Sequence, residues 1–92
     1  YLRGRQLMAR RNSTDIDQAA AELRRAVELD PQFALAWTSL SEAATLQVSY
    51  STLSQPESLR IRQDAVARAL AIPLVINAQR LVAEALGTGA SR

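Results

Sequence analysis

The sequence predicts an all-α fold of about five helices, arranged as tandem antiparallel hairpins. Three observations carry this expectation. Hydrophobic residues make up 48% of the 92 residues, with one Trp, one Phe and two Tyr. Much of the apolar content is alanine, the strongest helix former and a poor strand former. Apolar residues recur at i, i+3, i+4 and i+7 in successive segments. The segments are parted by short runs of cap and turn residues, and short connections imply antiparallel neighbours.

The first segment covers residues 1–11, where Leu2, Leu7 and Met8 share part of one helical face with Tyr1 and Gly4 beside them. Asn12 to Asp15 reads as a turn and cap, with Thr14/Asp17 or Asp15/Gln18 resembling a capping box. Residues 16–29 form the clearest helix. Its stripe is Ile16, Ala19, Ala20, Leu23, Ala26 and Val27. Asp30-Pro31 ends it, because Pro31 disfavours helical backbone in its predecessor and cannot donate to the ladder. A third helix is expected from about Phe33 to Val48, with Phe33, Ala36, Trp37, Leu40, Ala43, Ala44 and Val48 at helical spacing and Trp37 as a core anchor.

Residues 49–56, rich in hydroxyl side chains, read as a loop, and Ser54 with Glu57 around Pro56 resembles a second N-terminal cap. A fourth helix is expected over 57–71, with Leu59, Val66, Ala69 and Leu70 among its apolar positions. Pro73 separates it from a fifth, over about 74–86, carrying Val75, Ala78, Leu81, Val82 and Ala85. Gly87 reads as its stop, and residues 88–92 as a frayed tail.

Composition excludes several function classes. The chain has no Cys and no His, which removes disulfides, thiolate chemistry and the usual zinc ligands. It also removes the commonest general base near neutral pH. Net charge is +2, and every basic residue is Arg. No apolar run reaches the roughly 18 residues needed to cross a bilayer. The N-terminus lacks the apolar core of a signal peptide, and its start at Tyr1 points to a longer parent. Asp15, Asp17, Asp30 and Asp64 read as capping or surface acids, and Asp15 and Asp17 do not share a helical face. Ser13, Ser49, Ser51 and Ser54 have no base partner, and there is no Gly-rich phosphate loop. No catalytic site, cofactor or metal is expected.

Two stretches echo each other: Arg25-Ala26-Val27-Glu28-Leu29-Asp30-Pro31 and Arg68-Ala69-Leu70-Ala71-Ile72-Pro73. Each closes a helix and is followed by an apolar side chain and a new helix, the mark of a repeat. At these residues the chain resembles the tetratricopeptide repeat family. Ala19, Leu23, Ala26 and Pro31 match the family's second-helix pattern, and Trp37 and Leu40 match the start of the next first helix. Ser41 and Ala44 replace the usual Gly and Tyr. Downstream, Val66 and Ala69 are kept, Arg62 stands where a small alanine is usual, and Pro73 lacks the usual preceding Asp. Pro31 to Pro73 spans 42 positions against about 34 in the family, which implies an enlarged loop at about 48–55.

The resemblance covers about residues 1–86. It implies a fragment of right-handed superhelix over residues 1–87, about two hairpins plus a terminal helix. It also implies a protein-interaction or regulatory scaffold module. The wording of the chain is similar to repeats in bacterial multidomain signalling proteins, where they follow winged-helix domains or adenylate/guanylate cyclases, and this implies a cytoplasmic location. The partner would be a protein, a peptide or an adjacent domain of the parent chain. In the family, first helices line the groove. Carried over, this places Leu35, Thr38, Glu42, Thr45 and Leu46 toward a partner, although Leu35 and Leu46 also suit packing on neighbouring helices.

Two other functions are weighed against it. Repeat ends expose apolar faces unless capped, so the chain is also read as a self-association element or spacer. Arg3, Arg5, Arg10 and Arg11 offer a basic segment to phosphate backbones, but no recognition helix or aromatic stacking set accompanies them. Nucleic-acid binding therefore ranks last. Arg24 and Glu28 sit at a spacing that permits an i,i+4 pair.

Overall fold

The apolar stripe of residues 16–29 organises the molecule, a computed structural model that describes the backbone of residues 1–90 and the side chains of residues 1–73 and 75–86. Five helices follow one another: α1 (Leu2–Met8), α2 (Ser13–Leu29), α3 (Ala34–Tyr50), α4 (Gln55–Leu70) and α5 (Leu74–Ala90). Among the described residues there is no strand. Packing is sequential, α1 on α2, α2 on α3, and α3 on α4.

α2 starts earlier than the cap residues Thr14 and Asp15 suggest. Its cap is Asn12, whose Oδ1 accepts from the Asp15 backbone N–H at 2.9 Å while its Nδ2 donates to Asp15 Oδ2 at 2.8 Å. Such a cap is worth about 1 kcal/mol. The preceding turn reverses through Arg11 at φ 55, a left-handed position that Gly adopts with less strain. Ile16, Ala19, Ala20, Leu23 and Val27 of α2 are buried, and Ala26 is half-buried.

α1 packs on α2 through Gly4. A Cβ there would lie 2.7 Å from Leu23 Cγ and 3.3 Å from the Ala19 carbonyl oxygen. The small residue is what lets the helices approach. From α3, the core receives Ala36, Trp37, Leu40 and Ala43. Trp37 Nε1 donates to the Pro31 carbonyl at 2.8 Å, so the indole locks the turn that Asp30-Pro31 begins.

The enlarged loop expected at 48–55 is absent. α3 continues to Tyr50, and only residues 51–54 connect it to α4. The extra length is spent as helix because its end is tied down. Asp17 of α2 accepts from Gln47 Nε2 at 3.0 Å and from Ser51 Oγ at 2.8 Å. The Ser54/Glu57 cap forms as expected, with Ser54 Oγ accepting from the Glu57 N–H and donating to Glu57 Oε1, each at 3.3 Å.

α4 meets α3 through small residues. Ser58 and Ala65 are buried, and Ser58 Oγ donates to the Ala44 carbonyl at 2.9 Å. Leu59, Val66 and Leu70, expected among the apolar positions of this helix, are exposed. The apolar positions of α5 behave alike: Val75, Leu81, Val82 and Leu86 are exposed, while Ile76, Asn77, Arg80 and Glu84 form its more covered side.

α5 leaves α4 at a bend of 99°, after a linker of three residues where α2 and α3 are joined by four. It rests against the α2–α3 turn, where Arg80 pairs with Asp30 and lies 5.3 Å from the Phe33 ring centroid. The helix passes Gly87, read as a stop, and reaches Ala90. Of the tail expected at 88–92, residues 91 and 92 lie outside the described residues. No single helix among the described residues is long and apolar enough to cross a membrane.

Candidate functional site

At about 100° per residue, Leu35, Thr38 and Glu42 fall on one side of α3. Trp37 and Leu40, about 100° or more away, serve the core. The outer side of α3 faces α1 at one flank and α5 at the other. Toward α1, Arg5 Nη1 donates to Ser39 Oγ at 3.3 Å and lies 3.9 Å from Glu42 Oε1. Both charged side chains are half exposed or more there, so that pair contributes little to stability.

Toward α5 there is a cleft of about 200 Å³. Its α3 wall is Ala34, Leu35 and Thr38, and its α5 wall is Asn77, Arg80 and Leu81. The walls are mostly apolar. The Thr38 hydroxyl is spent on the Leu35 carbonyl at 2.9 Å. Asn77 Nδ2 donates to the Ile72 carbonyl at a long 3.5 Å, and Asn77 Oδ1 is buried with no donor. A buried acceptor left without a partner costs about 1–3 kcal/mol, so this oxygen marks a place where a donor is wanted.

Arg80 of the α5 wall links the cleft to a cluster of rings and charges. Tyr1 and Phe33 pack with centroids 4.8 Å apart and their planes tilted by 55°. The Arg5 guanidinium lies 5.9 Å from the Tyr1 ring, and the Arg80 guanidinium stacks on Phe33. These contacts join the start of α1, the α2–α3 turn and α5 around the N-terminal end of α3.

The five residues assigned to a groove by resemblance thus separate. Leu35 and Thr38 line the cleft. Glu42 is exposed and reaches Arg5. The Thr45 hydroxyl bonds back to the Ser41 carbonyl at 3.2 Å, and Thr45 faces a different hollow beside Ser49 and Ser58. Leu46 is half-buried against the core. Sequence reading missed Asn77, Arg80 and Leu81. The one available signal was Asn77, an amide inside an otherwise apolar helical run. No family model, curated protein or solved structure matches this chain, so its function is argued from its own residues.

Proposed function

We propose that this chain is a non-catalytic protein-interaction module of tetratricopeptide-repeat type, acting within a larger cytoplasmic signalling or regulatory protein, and that the α3/α5 cleft receives a peptide segment of its partner. The observation that carries the reading is the orphaned Asn77 Oδ1 in an apolar-walled cleft. A peptide brings both things the cleft lacks: an apolar side chain to sit between Leu35 and Leu81, and a backbone N–H for the amide oxygen. Glu42, exposed on the outer side of α3 and paired with Arg5 toward α1, offers a charge farther along the same helix.

A peptide-display selection against the chain tests this. Enriched peptides are expected to lose about tenfold in affinity, close to 1.4 kcal/mol, when Leu81→Asp or Glu42→Lys is introduced. Both positions are exposed, so helicity and melting temperature should stay unchanged. Peptides that bind both variants as they bind the parent chain would sink the reading.

A second reading, self-association, rests on a separate observation. Val66 and Leu70 on α4 and Val75, Val82 and Leu86 on α5 all stand exposed. Val66 and Leu70 share one hollow on α4, Val75 and Val82 another on α5, and exposed apolar patches of this kind suit an interface. Light scattering coupled to size exclusion is expected to show a mass that rises with concentration, and Val82→Asp should abolish the rise. A monomer mass at every concentration removes this reading and leaves the first untouched.

A further inference from the structure

On the side of α3 away from the peptide cleft, α2 and α4 leave a gap that opens onto Trp37. The cleft holds about 350 Å³, within the lower range of small-molecule sites. Its floor is apolar: Val27 from α2, Trp37 and Leu40 from α3, and Ile61 from α4. The indole is fixed in place by its hydrogen bond to the Pro31 carbonyl. The Arg68 guanidinium lies 5.3 Å from the ring centroid.

The rim is charged in a specific order. α2 contributes Arg24 and then Glu28, one turn apart. α4 contributes Asp64 and then Arg68, also one turn apart. Both helices run antiparallel to α3, so they run alike. Each level of the rim therefore carries one positive and one negative group, and the four charges sum to zero. No ion pair crosses the gap among the described residues. Arg68 bonds Asp64 on its own helix at 3.3 Å, and the Arg24/Glu28 pair that the spacing permits does not form. A phosphate-like anion would meet two carboxylates here, and a simple cation would meet two guanidinium groups. A molecule carrying both charges on an apolar body meets neither obstacle.

We infer that this cleft binds a small apolar zwitterion, of the class of free α-amino acids with branched aliphatic or aromatic side chains. The side chain lies over Trp37, Leu40 and Ile61. The unpaired Arg24 takes the carboxylate, and the unpaired Glu28 takes the ammonium. The inference does not depend on the α3/α5 cleft.

Trp37 is the one tryptophan of the chain, so its emission reports occupancy directly. The 92-residue chain is titrated with L-leucine and with L-phenylalanine, and in parallel with the N-acetyl amide of each, which keeps the side chain and removes both charges. The expected result is a saturable change in Trp37 emission with at least one free amino acid, at a Kd on the order of 1 mM, and none with its amide. Arg24→Gln and Glu28→Gln are expected to weaken that binding by about fivefold or more each. Both side chains are exposed and unpaired, so the unliganded emission should stay as in the parent. Three results overturn the inference: no saturable change with either amino acid to roughly 10 mM, an amide that titrates like its parent amino acid, or variants that bind unaltered. The second result would mark a bare apolar hollow of the kind a partner protein's side chain fills.

Discussion

Leu23→Ala is expected to be among the most destabilising single substitutions in this chain, costing about 2–5 kcal/mol. Leu23 is 0% exposed at the centre of α2, and its side chain meets α1 at Gly4. Truncation removes apolar contact and leaves a cavity that two helices must collapse to fill. For a domain of this size each kcal/mol shifts the melting temperature by about 4–8 °C, so a fall of roughly 8–40 °C should be seen by circular dichroism.

The same contact makes a coupling prediction. Gly4→Ala alone gains about 1 kcal/mol of helix propensity. Its new Cβ would stand 2.7 Å from Leu23 Cγ and 3.0 Å from Cδ2, an overlap that costs about 1–3 kcal/mol. It should therefore be neutral to destabilising in the parent chain. In the Leu23→Ala background the two closest contacts are gone and the 3.3 Å approach to the Ala19 carbonyl oxygen remains, so Gly4→Ala should be less destabilising there than in the parent chain. If the two substitutions add within about 0.5 kcal/mol, α1 does not pack on α2 through this pair.

Trp37→Ala is the second large effect, at about 3–5 kcal/mol. The indole is buried in the core shared by α2 and α3, and its Nε1 donates to the Pro31 carbonyl. Trp37→Phe separates the two roles. Phe keeps most of the apolar volume and loses the donor, so it should cost less than Trp37→Ala by at least about 1 kcal/mol, with the lost hydrogen bond contributing about 1 kcal/mol of what remains. Urea midpoints of the three proteins measure this. Equal losses for Ala and Phe would place the whole contribution of Trp37 in the hydrogen bond and the turn rather than in packing.

The two clefts lie on different sides of α3 and use different chemistry. The α3/α5 cleft has an unsatisfied amide and apolar walls, which suits a peptide. The α2/α4 cleft has a neutral charged rim over an indole, which suits a small dipolar molecule. Leu81 and Glu42 on one side, and Arg24 and Glu28 on the other, give substitutions that report on each cleft separately.

What was legible in the chain follows from periodicity on helices that bury one face. α2 shows this best: Ile16, Ala19, Leu23 and Val27 recur at helical spacing and are buried. The turn at Asp30-Pro31, the anchor Trp37 and the Ser54/Glu57 cap were legible too, because each acts through residues close in sequence. α4 was legible as a helix but not in its orientation. It turns Ser58 and Ala65 inward and leaves Leu59, Val66 and Leu70 outside. Close approach to the small residues of α3 favours small side chains at the contact, whereas hydropathy points to the large ones.

By itself the sequence determined that this chain is a succession of helices with short connections, that α2 ends at the Asp30-Pro31 turn and α5 begins after Pro73, and which residues of α2 and α3 make the core. Those are local matters of propensity, capping and one-sided burial. Only the tertiary structure decided that α3 runs on to Tyr50 in place of a loop, because Asp17 anchors its end from 30 and 34 residues away. Only the tertiary structure decided that α5 turns by 99° to set Asn77, Arg80 and Leu81 against Leu35 and Thr38, and that Arg24, Glu28, Asp64 and Arg68 ring one indole. These groupings join residues about 40 positions apart, and no local pattern encodes which side chains two separate helices bring face to face.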